Sequence, residues 1–247
     1  MTVACVRRRT ALQALLAPAL LAGCAEAAGS REGSGPSRKP PVKAAAPLPY
    51  QVAHASRRST AVSLTFHGQG EPALAKALLR EAERGGARVT VMAVGSWLDT
   101  YPALAKRILD GGHEIGNHTQ NHLEINALSE AEARAEIEQC ARRLKVLTGS
   151  RGKWFRPSRA HRATPLVQRL ARQAGYPHCL SYDVDSRDNT DPGAAAVREY
   201  VAGGVERGSV VSLHLGHEGT IEALPAILDD LKGRGLRAVT AAELLDA

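Results

Sequence analysis

From residue 59 to the C-terminus the chain alternates, seven times over, between a short β-prone run and a longer helix-patterned one. The strand-like runs fall at residues 61–66, 88–94, 113–117, 153–156, 178–182, 209–214 and 236–239. The helical runs fall at 72–84, 101–109, 129–147, 164–173, 192–205 and 221–232, followed by a short terminal helix capped by Thr240. Local chemistry supports these boundaries: Pro72 suits a first helical turn, Gly111-Gly112 a helix end, and Ser129 with Glu132 a capping box. Strands separated by helices, with no hairpin signal, pair in parallel and keep their helices outside. Seven such units suit a distorted, incomplete (β/α)7 TIM-like barrel better than an open doubly wound sheet. Barrels of this kind carry their chemistry at the C-terminal ends of the strands. The polar residues found there are His67, His118 with His122, Arg156, Asp183 with Asp185 and Asp188, and His214.

The pair His118 and His122 is four residues apart, so a helical turn would put both imidazoles on one face. Neutral imidazole nitrogen is a good ligand for a borderline-soft divalent metal, zinc above all. Position 119 is Thr, which separates the pair from the H-E-x-x-H helix of zinc proteases.

The N-terminal part has a different character. Arg7-Arg8-Arg9 precedes an apolar run over residues 11–22, the proportions of a secretory signal and too short to span a bilayer. The run ends in Leu21-Ala22-Gly23-Cys24, which resembles the lipid-attachment box of bacterial lipoproteins and implies a signal at residues 1–23 with acylation of Cys24. Residues 24–58, rich in Ala, Gly, Ser and Pro, read as a disordered tether, which leaves 59–247 as the folded domain. The chain is then expected to be exported and held at the outer face of a bacterial cell membrane by its lipid. Cys140 and Cys179 remain in the mature protein, where one disulfide is possible. The formal charge of +7 is confined to the tail, since residues 1–58 hold nine Lys/Arg against two Asp/Glu and 59–247 hold 23 of each. A neutral domain argues against a nucleic-acid partner, and a monomer is expected.

Several blocks together carry a family resemblance: Thr65-Phe66 after a strand, the run from Gly112 to His118 with His122, Phe155-Arg156-Pro157, Asp185-x-x-Asp188, and Ser212-Leu213-His214. Their order and spacing resemble the polysaccharide deacetylase family, the NodB-homology domain of family 4 carbohydrate esterases. The resemblance implies a (β/α)7 barrel and metal-dependent removal of acetyl groups from an N-acetylated polysaccharide such as peptidoglycan or a chitin-like oligomer. It makes His118 and His122 metal ligands, Leu213 a wall of the acetyl pocket, and His214 the general acid. Asp185, or Asp188, which the pattern also permits, would charge His214; Arg156 would orient the base. Arg159 would offer a backbone N–H to the oxyanion.

The chain also departs from that pattern. Where the family has two adjacent Asp residues, a base and then a metal ligand, the sequence here is His67-Gly68. With a one-residue gap His67 becomes the third ligand, giving a His67/His118/His122 site suited to zinc; without it His67 stands in the base's place. The first is favoured because losing a ligand harms a metal site more than losing a base, and Asp185 or Asp188 is then left to serve as base. Asn189 stands where an aromatic sugar platform is usual, and Arg159, His161 and Arg162 add positive charge suited to an acidic glycan. The expectation is an exported, lipid-anchored metal-dependent deacetylase of cell-envelope glycan. The alternative is a catalytically impaired glycan-binding lipoprotein that keeps the barrel.

Overall fold

The strand Ala61–Gly68, β2, lies at the centre of the sheet, and every residue in it except His67 is buried. Burial on both faces follows from parallel pairing with helices outside. Val62, Leu64 and Phe66 pack into the helix-facing core. The odd positions turn inward, where Ala61 joins Met92, Trp154, Leu180 and Val210 in a second apolar cluster. The structure, a computed structural model, describes residues 48–246. The expected signal segment at residues 1–23 and the expected lipidation site Cys24 lie outside the described residues.

The other strands are β1 (Gln51–Val52), β3 (Thr90–Ala93), β4 (Glu114–Asn117), β5 (Cys179–Leu180), β6 (Val184–Asp185), β7 (Val210–His214) and β8 (Arg237–Ala238). The main sheet runs β4-β3-β2-β7-β6, with β8 beside the start of β2. Every strand pair is parallel. The fourth expected strand, 153–156, is reduced to single bridges made by Phe155 to Asn117 on one side and Cys179 on the other. Those bridges carry the sheet across to β5 and β1. No ladder among the described residues joins β1 back to β6, so the barrel stays distorted and open there.

Around the sheet run α1 (Pro72–Arg84), α2 (Gly95–Thr100), α3 (Ala103–Asp110), α4 (Glu130–Thr148), α5 (Pro165–Gln173), α6 (Ala194–Gly204), α7 (Glu218–Gly233) and α8 (Ala241–Leu245). The Ser129/Glu132 capping box forms as expected at α4. The tether boundary at 58 needs correcting. Gln51 and Val52 pair with Cys179 and Leu180, and Val52 is fully buried, because β5 would otherwise present an unpaired edge. Ordered chain therefore reaches back at least to residue 48. Cys140 and Cys179 are separate buried thiols and form no disulfide.

Candidate metal centre and active site

Strand ends deliver the site. His67 is the seventh residue of β2, His118 follows β4, and His214 ends β7, paired in register with His67. Nitrogen atoms of His67, His118 and His122 all lie within 4.8 Å of one another. The two histidines of the H-x-x-x-H pair do not meet through a helical turn, as their spacing suggested. After β4 the chain kinks twice through the left-handed region, at Thr119 (φ 68°) and His122 (φ 56°). Neither residue favours that region, and the strain costs of order 1–3 kcal/mol at each position. Local bonds hold it: the Thr119 N–H donates to Asn117 Oδ1 at 2.9 Å, and Asn121 donates through N and Nδ2 to the Glu136 carboxylate on α4.

The ring nitrogens are assigned by their partners. His118 Nδ1–H donates to the Arg156 carbonyl at 3.0 Å, which leaves Nε2 with its lone pair facing the cluster. His67 Nδ1 lies 2.7 Å from that atom, and its Nε2 lies 3.0 Å from Ser212 Oγ. Burial, reinforced by His118 and then His214, pushes His67 well below the ordinary histidine range. Burial and then His122 do the same to His118, and burial followed by Arg159 lowers His122. All three are held as neutral imidazoles, the form a metal requires. Three neutral nitrogens from two strand ends, two of them backed by a carbonyl or a hydroxyl, fit a divalent ion with an open fourth position.

His214 stacks on His67 with ring centroids 4.3 Å apart. Of the two carboxylates left open for it, Asp188 is the partner, with Oδ1 2.7 Å from His214 Nδ1. Asp188 Oδ2 accepts from the His214 backbone N–H and from Thr220 Oγ1, both at 2.7 Å. Burial alone would raise the Asp188 carboxyl, but the bonds from His214 and Thr220 outweigh it and hold it below its usual value. Asp185 instead sits exposed on β6 and lines a cavity of about 360 Å³ with His67, His122, Arg159, Ser212 and His214.

Two expected roles change. Leu213 was expected in the acetyl pocket but belongs to the helix-facing core; strand alternation that turns His214 inward turns its neighbour outward. Arg156 is fully buried and was expected to orient a base. Its Nε donates to the Leu180 carbonyl and its Nη2 to Thr65 Oγ1 and the Ser181 carbonyl, while Nη1 has no partner among the described residues. Burial pulls its guanidinium down to about 10. It thus braces the barrel beneath His67, through Thr65 two residues earlier on β2. His217, close by, bonds through Nδ1 to Asp191 Oδ1 at 2.7 Å, with its ring 5.7 Å from that of His214. Ser212 and Tyr182 also line the cavity and were missed. The i, i+2 relation of Ser212 to His214 was the signal that could have found the first.

Gly68 explains why His67 serves at the cluster. Alternation turns position 68 away from His67, and a Cβ there would lie 2.8 Å from Val91 Cγ1 and 2.9 Å from the Ala93 Cα. Gly68→Asp is therefore expected to destabilise the fold by about 1–3 kcal/mol through overpacking against β3. Urea denaturation would measure this; unchanged stability would mean β3 yields readily.

The sequence model of the polysaccharide deacetylase family matches residues 54–179. A peptidoglycan-N-acetylglucosamine deacetylase of Bacillus cereus is 31% identical over 211 residues, 81% of this chain and 94% of that protein. A solved peptidoglycan N-acetylglucosamine deacetylase superposes with TM-score 0.75 at 25% identity, over 80% of this chain and 94% of its own. A family 4 carbohydrate esterase pseudoenzyme from Bacillus anthracis shares the fold at TM-score 0.76 and 24% identity, over 81% and 70% of the two chains. With the family model matched across half of its length and a relative at 31% identity aligned over 94% of that protein, the chain belongs to the polysaccharide deacetylase family.

Proposed function

We propose that this protein is an exported, metal-dependent hydrolase that removes acetyl groups from N-acetylated cell-envelope glycan. Its substrate class follows the relatives, named for peptidoglycan and, at 30% identity over 46% of that protein, for chitin. The observation that carries the proposal is the meeting of two devices in one cavity, a three-imidazole cluster and a His214–Asp188 pair. His67, His118 and His122 would hold the ion, with zinc the choice that suits an all-imidazole set. Bound there, it would supply Lewis-acid polarisation of the acetyl carbonyl and a more acidic water.

The chain's own residues do the rest. Asp188 fixes the His214 ring through Nδ1, which leaves Nε2 for the cavity that His214 lines. His214 Nε2–H then donates its proton to the departing sugar nitrogen, without which the C–N bond has a poor leaving group. Ser212 holds the His67 ring from behind, and Arg159, His161 and Tyr182 frame the mouth where sugar enters. Lipidation at Cys24 would anchor the protein beside its polymer. Metal content, acetate release from peptidoglycan and chitin oligomers, and membrane fractionation of Cys24→Ala test these statements. Fully metal-loaded protein that releases no acetate from either polymer would defeat the enzymatic proposal.

One observation favours a second reading. Among the described residues no carboxylate joins the three histidines and Arg156 Nη1 is left without a partner, as in a barrel that has lost acidic groups. A non-catalytic glycan binder would retain polymer in a pull-down whether or not His214 is replaced by Ala, and would show no turnover.

A further inference from the structure

Hydrolysis of an acetamide by water needs a group to take a proton from the attacking water, and His214 is already committed to giving one to the leaving nitrogen. We infer that Asp185, at the end of β6, is that base; the inference rests on the hydrolase reading above. Among the described residues it is the one carboxylate in the cavity wall.

The other acids near the site are occupied. Asp188 spends both oxygens on His214 and Thr220, and Glu136 both on Asn121. Asp183 accepts from Arg57, Ser209 and the Val210 N–H. His67 is no alternative, because each of its ring nitrogens already faces a partner, His118 or Ser212.

Asp185 is free and correctly placed. Val184 packs into the helix-facing core, so alternation along β6 turns Asp185 to the cavity. It pairs in register with Ser212 on β7, the residue that touches His67. Its Oδ1 accepts from the Arg187 N–H at 3.0 Å, which fixes the carboxylate and leaves Oδ2 available. The Arg187 guanidinium is turned aside over the Tyr200 ring, 5.0 Å from its centroid, so it does not neutralise the acid.

The step balances. One water proton passes to Asp185 Oδ2 as the water oxygen bonds to the acetyl carbon. The carbon–nitrogen bond then breaks as the nitrogen takes the proton of His214 Nε2. Acetic acid and the amine leave, and the proton on Asp185 returns to His214 through solvent.

Asp185→Asn keeps the Oδ1 acceptor for Arg187 and removes the base, so it is the variant to test in metal-loaded protein on peptidoglycan. The expected result is a kcat lower by about 10²–10⁴-fold, with KM, bound metal per chain and melting temperature unchanged. Added formate should restore part of the rate of Asp185→Ala. Turnover of Asp185→Asn within about threefold of wild type overturns the assignment, as does a loss of bound metal, which would make Asp185 a ligand. If the wild type itself releases no acetate, the hydrolase reading fails and this inference falls with it.

Discussion

Replacing His118 by Ala should weaken zinc binding by more than the ~10–100-fold typical of losing a residue behind a ligand. His118 is the fully buried member of the cluster, and its ring is set by the bond from Nδ1 to the Arg156 carbonyl. Among the described residues no neighbouring side chain can take its place: the Cys140 thiol is turned to the Ala93 carbonyl, and no other His, Cys, Asp or Glu shares the cluster. His122→Ala should weaken binding less, because His122 is half-exposed and water can fill its position. Competition against a chromogenic chelator measures both. Equal zinc affinity in wild type and His118→Ala would show that the ion, if bound, is held elsewhere.

His214→Ala is expected to lower kcat for acetate release by about 10²–10⁴-fold, the usual contribution of a positioned acid, while leaving zinc affinity unchanged. Asp188→Asn should fall within the same range for a separate reason. Asp188 accepts from three donors, His214 Nδ1, the His214 N–H and Thr220 Oγ1. An amide has one acceptor oxygen, so its NH₂ must face one of these donors; the His214 ring then loses either its tautomer or its place. Single-turnover kinetics with saturating metal separate this from weaker substrate binding. A variant with raised KM and intact kcat would make the pair a binding device rather than an acid.

Much of the architecture was open to inspection from residue order, because each strand and helix is specified by its own few residues. Pro72, the Ser129/Glu132 box and Thr240 all act within one turn of chain, and α1, α4 and α8 begin where those residues stand. The failures were of two kinds. Residues 153–156 look like a strand, yet only Phe155 bridges, since a β ladder needs a partner whose path the sequence does not disclose. Residues 48–58 look like tether, yet two of them close the edge of β5. Leu213 was different. The period of two was available in the sequence and put it behind the sheet, and only the family resemblance drew it into the pocket.

The order of residues by itself determined the repeating βα plan, the strand ends that carry His67, His118, Asp188 and His214, and the absence of adjacent carboxylates at 67 and 68. Those features are local, written in periodicity and in side-chain chemistry. The fold alone decided which of them touch. Left-handed kinks at Thr119 and His122 brought two imidazoles together, the approach of β3 excluded a side chain at Gly68, and the Asp188–His214 bond left Asp185 facing open space. Distances across strands depend on how the whole sheet twists and closes, and no short stretch of chain contains that information.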